Sequence, residues 1–496
     1  MPPSHPRRWA PPIALLGVPF DNITTSETLE TISRMIESRR PHYLATANVD
    51  FVVQAMQDLE LRRILNDAHL VLCDGQPLVW ASHLLGNPLP ERVAGSDLVP
   101  LILSLAEKKG YRVFFLGGQP EVTDKALTNV RKQYPNLQIA GSMSPPFAPL
   151  LEMNHAAIAK EIRESGVDIL LVSFGCPKQE KWLAMNYRHL GVPVSLGVGA
   201  TIDFLAGAVA RAPRWMHGAG LEWVWRLAQE PRRLFKRYIK DLWVFGISMA
   251  QQISLLPRMA PPRMELDKDA GRCIATIHSQ VVELPRHFRV QTLNYFAEIW
   301  RVAASAARPT VLDGSGVATT DSTALAMLLR LQTELRTVGC PLVLSGASPA
   351  LQRALKILHL ENALECTETV AEGLALLRER HKENPVEDIV LDPDRGSTMR
   401  WQGEVTARNA PQVWQSVEPL LAAGELRGGG SVQIDLSTLR FVDSTGVGLM
   451  VKAKKHGLAR GVEVSFAKPS REVSQIVRLL RMDKFLFAPQ SRLAAQ

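Results

Sequence analysis

The sequence is short of cysteine: five in 496 residues, at 73, 176, 273, 340 and 366, with no CxxC pair and no Cys/His spacing. That argues against a disulfide framework and a structural zinc site, and fits reduced thiols in a cytoplasm. Long hydrophobic runs are also missing. The N-terminus, MPPSHPRRWAPP, has proline and arginine but no apolar core, so it reads as a disordered arm and not a signal peptide. The most apolar stretch elsewhere, 242–250, is about half the length a bilayer span needs. No GxGxxG follows the first strand and no acidic residue stands at a suitable distance beyond it, which argues against a dinucleotide oxidoreductase. No motif of a nucleic-acid reader appears.

What is there fits a soluble globular protein: 46% hydrophobic and 21% charged residues. The length suggests about three domains. The formal net charge of +8 favours an anionic partner, a lipid surface or a nucleotide ahead of nucleic acid.

From residue 13 to about 256, apolar or β-branched runs at 42–47, 69–73, 112–116, 168–174 and 192–198 alternate with helical patterns such as 26–38, 121–133 and 154–165. Such alternation predicts an α/β fold, a Rossmann-like, mainly parallel sheet with helices on both faces. The proline-rich 254–267 (SLLPRMAPPRMELD) reads as a linker. Two similar segments follow, assigned to 268–380 and 386–490. Each runs strand, Asp-Ser-Thr, helix, strand, helix: VLDGSGV, TTDSTALAMLLRL and PLVLSGA in the first, VQIDLSTL, FVDSTGVGLMVKA and VEVSFAK in the second. This is an internal duplication of a small α/β module, its copies separated by HKENPVED (381–388).

In a parallel α/β sheet, ligands bind where strands end and loops leave for the next helix. The unusual residues of the first domain fall at such ends: Thr46-Ala47-Asn48, Asp74-Gly75, Gly117-Gly118, the run from Gly175 to Glu180, and Gly199-Ala200. Their coincidence predicts one shared crevice, although glycine-rich junctions also serve packing, and an Asp before Gly75 also suits a plain turn. Between 211 and 240 lie eight Lys/Arg against Glu222 and Glu230. Pro231 divides this stretch into one helix to about Gln229 and a second from about Arg232. The second has a basic face (Arg233, Lys236, Arg237, Lys240) and an apolar one, a pattern suited to an anionic membrane surface. Its guanidinium groups also suit a diphosphate.

Asp74-Gly75, ERVAGSD (91–97), FGCPKQEKW (174–182), GVGATIDFLAG (197–207), Arg211-Ala212-Pro213 and GLEWVWRLAQEPRRLFKRY (220–238) together resemble the WecG/TagA/CpsF family, glycosyltransferase family 26, over residues 13 to about 245. The resemblance implies an inverting, metal-independent transferase that needs no cofactor. It would move a sugar, N-acetylmannosamine or a related hexose, from a UDP-sugar donor to a polyprenyl-diphosphate-linked acceptor in cell-surface polysaccharide biosynthesis. By the same resemblance Asp74 is the general base, Thr46 and Asn48 line the pocket, and Arg92 and Gln179 hold polar pocket positions. Arg226, Arg233 and Arg237 belong to a C-terminal appendage that closes the site at the inner face of the cell membrane. Arg92 pairing with Glu91 or Asp97, and Gln179 capping a helix, are the plainer alternatives. The duplicated modules resemble STAS domains, which are anti-sigma-factor-antagonist-like. In that family a serine at the position of Ser444, and more loosely Ser322, is phosphorylated by a partner kinase; a helix cap explains the same residues. The competing whole-chain reading is a non-catalytic transferase-like scaffold whose STAS modules bind a kinase or anti-sigma-type partner.

Overall fold

The structure, a computed structural model, describes residues 11–207, 216, 222–229, 231–255, 272–275, 279–290, 292–293, 308–337, 340–361, 363–380, 386–392, 396–426 and 430–487. The expected N-terminal arm, most of the 254–267 linker and the start of the 381–388 separator lie outside these residues.

The first domain opens with a hairpin, β1 (Ile13–Leu15) and β2 (Val18–Phe20), then α1 (Thr25–Glu37). There follow β3 (His42–Ala47), α2 (Val49–Gln57), α3 (Leu59–Asp67), β4 (Leu70–Cys73), α4 (Gln76–Leu84), α5 (Gly95–Lys109), β5 (Arg112–Gly117) and α6 (Pro120–Gln133). The sheet is completed by β6 (Gln138–Met143), α7 (His155–Ser165), β7 (Ile169–Ser173), α8 (Lys178–Leu190), β8 (Val194–Gly197) and α9 (Thr201–Leu205). Six strands pair in parallel in the order β4-β3-β8-β7-β5-β6. The chain goes from β3 to β4 on one side and fills the other side later, so the order reverses beside β3. In open parallel sheets such a reversal marks where ligands bind, here the carboxyl ends of β3 and β8.

The strands are apolar on both faces because helices cover both. Along β5, Phe114 and Leu116 enter one core while Val113 and Phe115 enter the other, the two-residue alternation of a strand. Helix starts are written locally. Thr24 and Glu27 cap α1 reciprocally, and Asn48 and Asp58 cap α2 and α3. Beyond the sheet come α10 (Glu222–Gln229) and α11 (Pro231–Leu255). Pro231 opens α11, where its missing N–H costs no intrahelical bond. The buried face of α11 sends Phe245 and Met249 into the core beneath β3.

The first repeat contains β9 (Arg272–Ala275), β10 (Gln280–Glu283), β11 (His287–Phe288), β12 (Thr310–Asp313), β13 (Thr319–Thr320), α12 (Ser322–Thr337), β14 (Leu342–Ser345), α13 (Pro349–Ile357), β15 (Glu365–Thr367) and α14 (Val370–Arg380). Its main sheet runs β15-β14-β12-β10-β9, antiparallel only at β9. The second contains β16 (Val386–Asp392), β17 (Gly396–Val405), α15 (Ala410–Leu426), β18 (Gly430–Val442), α16 (Ser444–Ala459), β19 (Val462–Ala467), α17 (Arg471–Leu479) and α18 (Asp483–Phe487), with a sheet β16-β17-β18-β19. The α/β repeats thus match strand for strand around their Asp-Ser-Thr turns: β12 with β18, α12 with α16, β14 with β19.

Both repeats dock the same edge, the N-terminus of the helix after Asp-Ser-Thr, onto the first domain. In the first repeat, Gln252 of α11 donates from Nε2 to Ser322 Oγ (2.8 Å) and to Ala14 O (2.9 Å). Asn87 Nδ2 donates to Thr323 Oγ1 (3.0 Å). In the second, Glu60 of α3 accepts from Ser444 N–H (2.5 Å) and Ser444 Oγ–H (2.8 Å). Arg63 forks onto Glu404 (3.0 and 2.6 Å) while its guanidinium stacks on Phe441.

Candidate functional site

Asp74 follows β4 directly, at the reversal of strand order. Its backbone N–H donates to Ala47 O (2.9 Å), which sets the end of β4 against the end of β3. Its Oδ2 accepts from the N–H of Gly95, the first residue of α5, at 3.3 Å. The positive end of a helix therefore faces this carboxylate. Thr46 and Asn48 stand on the adjoining strand end. A Cβ on Gly95 would lie 3.4 Å from Thr46 Oγ1, and one on Gly75 3.8 Å from Asn48 Cα. The sequence-predicted Thr46, Asn48 and Asp74 are thus brought to one place.

Each has a local duty as well. Thr46 is 8% exposed and its Oγ1 donates to Gly197 O (3.4 Å), tying β3 to β8. Asn48 Oδ1 accepts from Phe51 N–H (3.2 Å) as the cap of α2, and its Nδ2 makes no hydrogen bond to a described residue. Arg92 pairs with Asp97 in the first turn of α5 at 2.9 Å, one of the two pairings expected for it. It also lies near the Asp74 carboxylate: both charges act on the Cys73 thiol, which burial pushes up to about 12.

Gln179 is placed differently from a crevice-facing residue. It is 2% exposed. Its Oε1 accepts from Gly175 N–H (3.2 Å) and Gly199 N–H (3.1 Å), and its Nε2 donates to Glu180 Oε1 (2.7 Å). The amide is a clamp that fixes the loops leaving β7 and β8. The clamp requires a close approach at Gly197, where a Cβ would sit 2.7 Å from Gln179 Nε2. Gly117 is needed for a second reason: its φ is +101°, and a Cβ there would meet Ser173 O at 2.4 Å. Arg226 falls in α10 and Arg233 and Arg237 in α11, and their side chains lie outside the described residues.

The first turn of α8 holds two buried charges to which the sequence motifs assigned no role. Glu180 is buried, and burial pushes its carboxyl up from 4.5 to about 7. Lys181, also buried, pairs with Asp58 (2.7 Å) and Glu60 (2.9 Å). A chain of contacts therefore runs from Ser444 through Glu60 and Lys181 to the turn that carries Gln179. The signal was the run Lys178-Gln179-Glu180-Lys181: four polar residues opening a helix just after a buried strand, where charges are kept only with partners.

A carboxylate at a strand tip, a helix N-terminus against it and amide-lined loops beside it can bind a polar substrate and accept a proton from a hydroxyl group. The family comparison agrees. Residues 13–258 match the sequence model of the WecG/TagA/CpsF glycosyl transferase family, and the chain belongs to that family. It is a glycosyltransferase. It is similar to the N-acetylglucosaminyldiphosphoundecaprenol N-acetyl-beta-D-mannosaminyltransferase of Bacillus subtilis, with 31% identity over 44% of this chain and 83% of that protein. The protein of the same description in Staphylococcus aureus is 28% identical over 48% of this chain and 93% of its own length. Residues 275–368 and 392–488 match the model described as Mlab, STAS domain, so both repeats are STAS domains.

Proposed function

We propose that this glycosyltransferase carries out an inverting transfer of N-acetylmannosamine or a related hexose from its UDP form to a polyprenyl-diphosphate-linked sugar, in cell-surface polysaccharide biosynthesis. The observation that carries the reading is Asp74, a carboxylate at the topological switch point with Thr46 and Asn48 at its side. Asp74 takes the proton from the attacking acceptor hydroxyl as the sugar–phosphate bond breaks, a role that supplies about 10²–10⁴-fold. Developing charge on the departing diphosphate falls to Arg226, Arg233 and Arg237 and to strand-end amides, with no metal required. The names of the Bacillus subtilis and Staphylococcus aureus relatives, which specify an undecaprenol-diphosphate-linked acceptor, support this substrate class.

The enzyme works as a peripheral protein at the inner face of the membrane. Among the described residues no helix is long and apolar enough to cross a bilayer. Instead α11 exposes Phe235, Ile239, Leu242, Trp243 and Ile247 along one side, with Lys240 beside them. Such a stripe suits the headgroup boundary of an anionic membrane. The STAS modules regulate the transferase by docking. Ser444 is the phosphorylation site for a partner kinase, and Ser322 a second candidate. Ser444 is fully buried against Glu60, so a phosphate there and the docked arrangement exclude each other.

The test is UDP release by the full chain from UDP-N-acetylmannosamine and related donors with a polyprenyl-diphosphate N-acetylglucosamine acceptor. Release that depends on both substrates is expected. Inert protein across the donor panel would remove the proposal and favour a scaffold.

A further inference from the structure

The three modules line an open cavity of about 820 Å³ on the side of the molecule where α3, the C-terminal end of α8, α12 of the first STAS domain and the β17–α15 loop of the second come together. Asp74 is not among its lining residues; it follows β4 at the carboxyl end of the sheet. The size is that of a small-molecule site.

The charges of this cavity can be paired off. Glu404 is held by Arg63, Asp67 by Arg336, and Glu365 by Arg440. Glu60 is taken by Lys181 and Ser444, and Asp443 caps α16 through Gly446 N–H. Arg62 is spent on the carbonyls of Ala55, Met56 and His359, with Glu361 acting on it by charge. Glu472 sits in the first turn of α17, where an acidic residue suits the helix dipole. Two cations are left over: Arg188 of α8 and Arg408 of the β17–α15 loop. Neither forms an ion pair with a described carboxylate. They come from different domains, yet each lines the same space. Partial desolvation by the cavity walls and then the charge of Arg188 lower the pKa of Arg408, with Asp67 opposing and Arg336 adding to the effect. Domain docking therefore brings like charges together, only partly offset by Asp67, next to the phenol ring of Tyr187 on which Arg188 lies.

We propose that this junction cavity is a binding site for a small polyphosphate-bearing anion, held by Arg188 on the transferase and Arg408 on the second STAS domain. Guanidinium forks match phosphate oxygens bidentately. A ligand that needs both arginines binds the docked arrangement alone, so it strengthens docking by mass action. The site is a sensor read out as the position of the STAS domain, separate from the donor site.

The probe is inorganic pyrophosphate, titrated by calorimetry into the full chain with the donor site already saturated with UDP. One binding event is expected. Arg188→Gln and Arg408→Gln should each weaken it by about tenfold or more, and salt should weaken it further. Both side chains are exposed, so these variants should keep the wild-type melting temperature without ligand. In wild type alone, pyrophosphate should raise that temperature and lower hydrogen exchange at the β17–α15 loop. No binding at millimolar pyrophosphate, or equal binding by the double variant, would overturn the proposal. So would binding lost only in Asp74→Asn.

Discussion

Replacing Ser444 by glutamate should undock the second STAS domain from the catalytic domain. In the native contact the Glu60 carboxylate accepts two hydrogen bonds from Ser444 and pairs with Lys181, all out of water. Ser444→Ala removes one charge-assisted hydrogen bond, about 1.5–3 kcal/mol. Ser444→Glu does that and adds a carboxylate beside Glu60. Two unit charges about 4 Å apart repel by about 4 kcal/mol at an effective dielectric constant of 20. Asp443 beside it is a further buried carboxyl, which burial and then Glu60 already push up to about 7, so the new charge falls where negative charge is already disfavoured. The glutamate variant should therefore exceed the alanine variant by several kcal/mol, enough to separate the surfaces. The assay is hydrogen exchange along α3 and α16, with thermal melting alongside. Faster exchange at both helices is expected in Ser444→Glu, and much less of it when Glu60→Gln is also present. Equal exchange in the alanine and glutamate variants, or a glutamate effect that ignores Glu60→Gln, would refute the reasoning.

Other outcomes follow from single groups. Glu180 has its carboxyl raised from 4.5 to about 7 by burial, so the fold disfavours its ionised form. That cost is absent below about pH 4.5, grows towards pH 7 and is complete above it. Glu180→Gln should stabilise the protein by roughly 2–3 kcal/mol at pH 8 and hardly at all at pH 4.5, as read from denaturant midpoints; equal gains at both pH values would contradict this. Glu404 behaves oppositely. Burial alone would raise it, but Arg63 outweighs burial and holds it at about 2. Its contribution is present above about pH 4.5 and is lost as pH falls towards 2. Arg63→Gln should remove that acid dependence from the exchange rate of β17. Phe235→Ser with Trp243→Ser should weaken binding to phosphatidylglycerol vesicles by about tenfold or more, since each aromatic ring contributes about 1.5–3 kcal/mol when buried; unchanged sedimentation with vesicles would count against a surface helix.

The parallel sheet was legible because its central strands are buried on both faces and so carry continuous apolar runs. The expected 42–47 strand coincides with β3, and β4, β5, β7 and β8 lie within a residue or two of their runs. What escaped was weakly written. The edge strand β6 reads QIAGSM and is half-exposed, so its pattern is not apolar. The β1–β2 hairpin is only three residues a side, too short for periodicity to register. Strand tips pointed to Thr46, Asn48 and Asp74 because tip residues are fixed by local sequence. The role of Gln179 was hidden: its partners Gly175 and Gly199 meet only once β7 and β8 pair. The docking of Ser444 on Glu60 spans 384 positions, and no local rule couples residues so far apart. Sequence alone could name both serines as helix caps or switches, but the caps are Asp321 and Asp443, which accept from Ala324 N–H and Gly446 N–H. It could not place both on one partner surface.

The most direct measurement compares Asp74→Asn with wild type for sugar transfer to the lipid-linked acceptor, with the donor KM determined in parallel. A carboxylate acting as base predicts a fall in kcat of about 10²–10⁴-fold with donor KM changed by no more than about threefold. An asparagine variant that keeps more than about a tenth of the wild-type kcat would show that the proton leaves by another route.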